Sequence, residues 1–216
     1  VVFTGDNSIR RRPATPLLDA LSQREVTTFT TRSGSKSAPF IVKGPMKAGK
    51  VKVAGNPSQY ISSLLIASPM CEGTMRIESD NPMEIPYIEM TLDWMKKTGI
   101  DVSYDAEGFK WFEVEGVQKY QPFTRTIPSD WSSVAFPVVA GLTEGSEILI
   151  NNLDFSDKQG DMRVIDHLIA MGANIKKRSL GSLVIKGDRK LKGINIDMSS
   201  TPDALPILAV VGSIRC

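Results

Sequence analysis

Histidine is nearly missing from this sequence: His167 is the single one in 216 residues, which leaves no imidazole cluster for a metal centre, and its place within a helical pattern reads as structural. Cysteine is almost as scarce. Cys71 and Cys216 stand 145 positions apart, with neither metal-ligand spacing nor a disulfide framework, as expected for a reducing compartment, here the cytoplasm. Charge of one sign is not in excess either: 26 Lys and Arg face 24 Asp and Glu, and a net charge of +2 is too small to argue for a nucleic-acid or lipid partner. Any role for basic residues is therefore local. Long hydrophobic runs are absent as well; the stretch Leu205 to Val211 is far too short to span a membrane. No P-loop and no nucleophilic triad is found. There is also no initiator Met and no signal peptide. Val1-Val2-Phe3 reads as a strand already under way, and Ala204 to Val211 as a helix cut off at Cys216, so truncation at both ends is expected.

What is present is ordinary in bulk and periodic in detail. Apolar residues make up 41% and charged residues 23%, enough for one large soluble domain or two small ones. Strand-like segments ending in glycine recur as Phe40 to Gly44, Phe112 to Gly116 and Leu183 to Gly187, with the glycines 72 and then 71 positions apart. After each comes a second strand candidate and then a polar turn, Pro57-Ser58-Gln59, Pro128-Ser129-Asp130 or Thr201-Pro202-Asp203. Each turn opens an apolar helix, beginning at Tyr60, Trp131 and Ala204. A second helix follows within each repeat. Tyr87 to Lys97 puts Ile88, Thr91, Leu92 and Met95 on one face and stops at Gly99; Met162 to Met171 does the same with Val164, Ile165, Leu168 and Met171 and stops at Gly172, 73 positions on. Ala14 to Gln23 is the counterpart near the start, but it runs into Arg24-Glu25 without the glycine. With strands at Ile100 to Tyr104 and Asn174 to Lys177, the order per unit is β, α, β, α, β, β.

That order suggests a function class. A helix N-terminus carries unpaired N–H groups and about half a positive charge, so helices of repeated units can present those ends to an anion. The plainer alternative is that Ser58, Ser129 and Asp203 cap their own helices. The two roles are compatible.

Six segments, in one order and spread over nearly the whole chain, resemble the 5-enolpyruvylshikimate-3-phosphate synthase family. They are Thr4 to Pro13 with Pro16 to Leu21, Ser58 to Leu65, Pro86 to Leu92, Ser129 to Ser133, Gln159 to Asp161, and Ile196 to Ala204. The resemblance implies an α/β (α+β) fold of βαβαββ units in two similar domains, with the active site in the cleft between them. Residues 1–127 would be the later part of one domain and 128–216 the early part of the second, about the middle half of the enzyme. The implied reaction moves the enolpyruvyl group of phosphoenolpyruvate onto the 5-hydroxyl of shikimate 3-phosphate and releases phosphate, a step toward chorismate and the aromatic amino acids. It needs neither metal nor organic cofactor, and the implied enzyme is a monomer without nucleic-acid or membrane partners. The family's substrate lysine and glycine-rich G-N-A-G-T segment would precede Val1, and further Lys, Arg and Glu residues would follow Cys216, so the 216 residues alone are expected to be inactive.

The roles carried over come residue by residue. Arg12 matches the arginine that binds phosphoenolpyruvate, and its planar guanidinium suits carboxylate and phosphate oxygens taken two at a time. A solvated basic run, Arg10 to Arg12, is the alternative, yet a cation gains nothing at a helix start. Ser58 and Gln59 match the Ser-Ser-Gln that contacts the shikimate phosphate, Gln59 reaching also toward phosphoenolpyruvate; Pro57 stands where the first Ser belongs. Tyr87 lies in the match to S-x-P-Y, whose Ser, a substrate contact, falls on Glu84. A carboxylate facing a phosphorylated substrate is unfavourable, so Glu84 is expected to point away. Asp203 would accept the proton of the 5-hydroxyl as that oxygen attacks C2 of phosphoenolpyruvate. Asp130, one repeat earlier, reads as a cap at the domain switch. Competing readings are an enolpyruvyl transferase acting on a UDP-sugar, an RNA-terminal phosphate cyclase relative, which would need a nucleotide site not seen here, and a truncated, non-catalytic anion-binding fragment.

Overall fold

The computed structural model describes residues 1–55, 58–199 and 201–215, for the last two of which only the backbone is described. Pro57 and Cys216 lie outside the described residues. The chain forms two compact units, Val1–Phe123 and Thr124–Cys216.

The first unit holds two sheets. In one, β1 (Val2–Phe3), β2 (Thr27–Thr30) and β3 (Phe40–Lys43) pair antiparallel in the order β1-β3-β2, with α1 (Thr15–Ser22) between β1 and β2. Pro16 falls in the first turn of α1, where its missing N–H costs nothing. In the other, β4 (Gly49–Lys52), β5 (Met75–Glu78), β6 (Ser103–Tyr104) and β7 (Trp111–Val114) run in the order β4-β5-β7-β6. Only β4 and β5 are parallel, joined by the crossover helix α2 (Ser58–Ala67). Met75, Ile77, Phe112 and Val114 alternate inward from β5 and β7 and are completely buried. They meet Ile61, Leu64 and Leu65 of α2 and Ile88, Leu92 and Met95 of α3 (Ile85–Lys97) in one core. Each large side chain buried there contributes roughly 1.5–3 kcal/mol. The two helices pack together, and Ser62 Oγ and Thr91 Oγ1 share a hydrogen bond of 2.7 Å between them.

The second unit has α4 (Trp131–Ala140), β8 (Glu147–Ile150), α5 (Arg163–Ala170), β9 (Asn174–Arg178), β10 (Ser182–Lys186) and α6 (Leu205–Arg215). Its sheet has the order β8-β10-β9, all antiparallel. Trp131, Val138, Val164, Leu168, Leu183 and Ile185 centre its core. The full β, α, β, α, β, β order thus appears from β4 to β7, and its last four elements recur around the other two sheets with the same strand order. The second strand expected after each glycine forms once, as β4. No strand forms after Gly116 or Gly187 among the described residues. β4 is made by its pairing with β5 beyond the crossover helix, whereas the segments from Gly116 to α4 and from Gly187 to α6 join no sheet among the described residues. Ile194, Ile196 and Met198 pack against the second core instead. After Gly116 the chain reaches α4 by bonding at the end of β8, where Asn152 Nδ2 donates to Ile127 O (3.2 Å) and Ser129 N to Asn152 O (2.9 Å).

Two landmarks of the repeat have steric causes. A Cβ on Gly116 would stand 2.0 Å from the Cys71 carbonyl oxygen, and one on Gly187 would stand 1.7 Å from that of Thr143. Gly44 meets only Met46 N, at 3.4 Å. The second landmark is the end of each sheet-flanking helix. Gly99 and Gly172 take the left-handed conformation at φ 83° and 102°, and Ile100 N and Ala173 N then donate back to Met95 O and Leu168 O, both at 2.9 Å. At the end of α1 Glu25 takes the same place at φ 60°, and Val26 N donates to Leu21 O at 3.2 Å. The motif survives there without its glycine.

One side chain imitates a strand. Gln23 Nε2 donates to Lys52 O and its Oε1 accepts from Lys52 N, both at 2.9 Å, along the outer edge of β4. No helix among the described residues is long and apolar enough to cross a membrane.

Candidate functional site

The starts of α2 and α3 meet in the first unit. Ser58 opens α2 and is only 1% exposed; its Oγ donates to Glu84 Oε2 at 2.7 Å. Glu84 is the residue before α3 and sits in the left-handed region at φ 53°, ψ 43°. That conformation is uncommon for a residue with a Cβ, and such strain clusters at functional positions. Its carbonyl accepts from Tyr87 N at 3.0 Å, and Pro86 in the first helical turn lacks the N–H that would be orphaned there. The expectation that Glu84 points away does not hold: its carboxylate points at the very hydroxyl expected to meet the phosphate. The packing of α2 on α3 brings these positions together although 26 residues separate them in sequence. Gln59 is exposed at the same helix start, and Tyr87 is half-buried.

The arginine turn is tied to this corner. Asp6 Oδ1 accepts from Ile9 N, and Arg10 N and Arg12 N donate back to Asp6 O and Ser8 O, which closes the turn. Ser37 Oγ donates to Arg10 O, Ala14 N to Lys36 O, and Pro13 pairs with Ser37, so the β2–β3 loop braces it from one side. From the other side Tyr60 Oη, on α2, donates to Pro13 O at 3.0 Å. Arg10, Arg11 and Arg12 are all exposed, and no carboxylate among the described residues pairs with any of them. Tyr60 had been visible in the sequence only as a helix-start aromatic. Its bond joins positions 47 residues apart, and no local signal announces it.

In the second unit, Asp130 caps α4. Its carboxylate accepts from the backbone N–H and the hydroxyl of both Ser132 and Ser133. Desolvation pushes its pKa up, but the bonds from Ser133 and Ser132 outweigh this and leave it below the ordinary value. Gln159 Oε1 takes the Trp131 N–H at 2.8 Å, so three N–H groups at the start of α4 are satisfied by the protein itself. Ser129, suggested as a cap, instead bonds Asn152 through its backbone; Ser58 is inside α2 and engaged by Glu84. Asp203 is not a cap either. It lies exposed within a short 3₁₀ turn, Pro202–Ala204, that leads into α6, and it has no hydrogen bond or ion pair among the described residues. His167 lies within α5 and is half-buried.

Residues 1–215 match the family model described as EPSP synthase (3-phosphoshikimate 1-carboxyvinyltransferase). A 3-phosphoshikimate 1-carboxyvinyltransferase of Ruminiclostridium cellulolyticum is 44% identical over 209 residues, 97% of this chain and 48% of the relative. One of Methanosarcina acetivorans is 39% identical over 217 residues, 99% of this chain and 50% of the relative. Among solved structures, the EPSP synthase of Acinetobacter baumannii superposes with a TM-score of 0.70 at 26% identity, over 96% of this chain and 47% of that one. The enolpyruvyl transferase NikO of Streptomyces tendae shares the fold, with a TM-score of 0.71 at 17% identity, over 94% of this chain and 49% of that one. The chain spans about half the length of the curated relatives it matches.

Proposed function

The chain belongs to the EPSP synthase family, and on that footing we propose that it serves the transfer of the enolpyruvyl group of phosphoenolpyruvate to the 5-hydroxyl of shikimate 3-phosphate, with release of phosphate. The observation that carries this reading is the corner of the first unit where the Arg12 turn, Ser58 and Gln59 of α2, and Glu84 and Tyr87 before and on α3 are held by Tyr60–Pro13 and Ser58–Glu84 bonds. Arg12 offers an exposed guanidinium, unpaired among the described residues, for the carboxylate or phosphate of phosphoenolpyruvate. Ser58, Gln59 and Tyr87 take shikimate 3-phosphate. Asp203, exposed and without a partner among the described residues, accepts the 5-hydroxyl proton as the new C–O bond forms at C2 of phosphoenolpyruvate. Residues 1–127 and 128–216 belong to the two domains of the enzyme, a cytoplasmic monomer that uses neither metal nor organic cofactor.

Equilibrium titration of the chain with shikimate 3-phosphate, a UDP-sugar and ATP tests this. Saturable binding of shikimate 3-phosphate alone is expected, weakened in Arg12→Ala if phosphoenolpyruvate is present. Preference for the UDP-sugar would move the chain to another enolpyruvyl transfer, preference for ATP to a nucleotide-using enzyme, and no binding to a non-catalytic role.

A further inference from the structure

We propose that Glu84 is an anion gate: its carboxylate holds the buried Ser58 hydroxyl and thereby sets the threshold for any phosphate group at the start of α2. The inference rests on the reading that Ser58 meets the substrate phosphate. A serine hydroxyl has one O–H to donate, and here that proton is committed to Glu84 Oε2 at 2.7 Å. Ser58 is 1% exposed, so any group that takes its hydroxyl must enter where Glu84 now sits. Glu84 is half-buried and pairs with no Lys or Arg among the described residues, so its negative charge is not cancelled locally. It is also held in place, in a left-handed backbone conformation at the end of a loop that α3 closes through Tyr87 N. Where the family motif offers a second hydroxyl donor, this chain offers an acceptor of the same sign as the ligand.

A phosphate can win the Ser58 hydroxyl only by displacing that carboxylate. Inorganic phosphate brings nothing to offset the exchange. A phosphate ester whose ring hydroxyls and carboxylate are gripped elsewhere brings several contacts and can open the gate. The cost is common to both ligands, so Glu84 leaves the ratio of their affinities unchanged and lowers both; free phosphate, the reaction's own leaving group, has no other contacts and is the first to fall to low occupancy.

The test is calorimetric titration of inorganic phosphate and of shikimate 3-phosphate into the chain and into Glu84→Gln, Glu84→Ser and the double variant Ser58→Ala with Glu84→Gln, with thermal melts to check folding. Glu84→Gln keeps the shape and removes the charge, and it should tighten both ligands at least tenfold. Glu84→Ser should act in the same direction, so either variant suffices if the other misfolds. Adding Ser58→Ala should erase the gain. Affinities unchanged within twofold, or weakened, in the Glu84 variants would overturn the gate. Shikimate 3-phosphate binding equally to all proteins leaves the functional reading standing and the gate refuted. Phosphate tightened by Glu84→Gln with no shikimate 3-phosphate binding does the reverse. Binding of neither ligand to any variant refutes the gate as well.

Discussion

The Tyr60 hydroxyl donates to the Pro13 carbonyl across 3.0 Å, and this bond fastens the arginine turn to helix α2. Tyr60→Phe keeps the ring and removes only that bond. Stability should fall by about 0.5–1.5 kcal/mol, read from urea unfolding. The affinity for phosphoenolpyruvate should fall several-fold because Arg12 is less well placed. An unchanged affinity would mean that the turn is held by its Ser37 and Lys36 contacts alone.

Asp130 makes acid stability legible. Its folded pKa lies below the ordinary carboxylate value, so the unfolded chain binds the proton more readily. Its contribution is therefore present above about pH 4, the unfolded carboxylate range, and is lost as pH falls through the folded pKa. Asp130→Ala should cost about 0.5–2 kcal/mol at neutral pH, as for other lost N-caps. The gap between wild type and variant should close progressively below pH 4 in chemical unfolding. A gap independent of pH would mean that the protonated carboxyl caps the helix as well as the charged one.

The three helix ends make a set of controls. Gly99→Ala and Gly172→Ala place a Cβ in the left-handed region and should each cost about 1–2 kcal/mol. Glu25→Gly relieves that same strain at the end of α1. It also removes the exposed Glu25–Lys47 ion pair of 2.6 Å, worth at most about 1 kcal/mol. Stability equal to or above wild type is expected for Glu25→Gly, measured by urea unfolding; a clear loss would show that the ion pair outweighs the backbone.

In the complete enzyme, Arg12→Ala should raise the KM for phosphoenolpyruvate strongly, and Arg12→Lys should recover only part, because an ammonium cannot copy the guanidinium fork. Asp203→Asn removes the negative acceptor, and kcat should fall by about 10²–10⁴. A kcat within a few-fold of wild type would assign the proton to another base.

The sequence and the structure agree best where a residue type has one physical job. Gly99 and Gly172 end helices where a left-handed residue is needed, and Gly116 and Gly187 stand where a carbonyl leaves no room for a Cβ. The succession of strands and helices along the chain was spaced by those marks, whereas the order of strands within each sheet was not legible from them. Glu25 was unreadable as a helix end because a glutamate there announces nothing; only the backbone reveals it. The strands expected after Gly116 and Gly187 do not form among the described residues, because a strand is made by pairing across the sheet, which a segment's own composition does not announce. The site divides in the same way. Motifs named Arg12, Ser58, Gln59, Tyr87 and Asp203 singly, but the Ser58–Glu84 and Tyr60–Pro13 contacts are set by helix packing across 26 and 47 residues.

Gln23 has a bearing on how this chain behaves among copies of itself. β4 is an outermost strand, and an outermost strand offers its free peptide groups to any passing extended chain. The Gln23 amide already occupies both outward-facing groups of Lys52, with the chemistry that another backbone would use. Lys50 and Lys52 flank it as charged ions, paired to Glu78 and Asp80. An intruding strand would have to evict a side chain that offers the same donor and acceptor pair as its own peptide link. Arg24 continues the cover, its guanidinium donating to Ala48 O and its carbonyl accepting from Lys47 N, so the turn that ends α1 closes the part of this edge where an added strand would start.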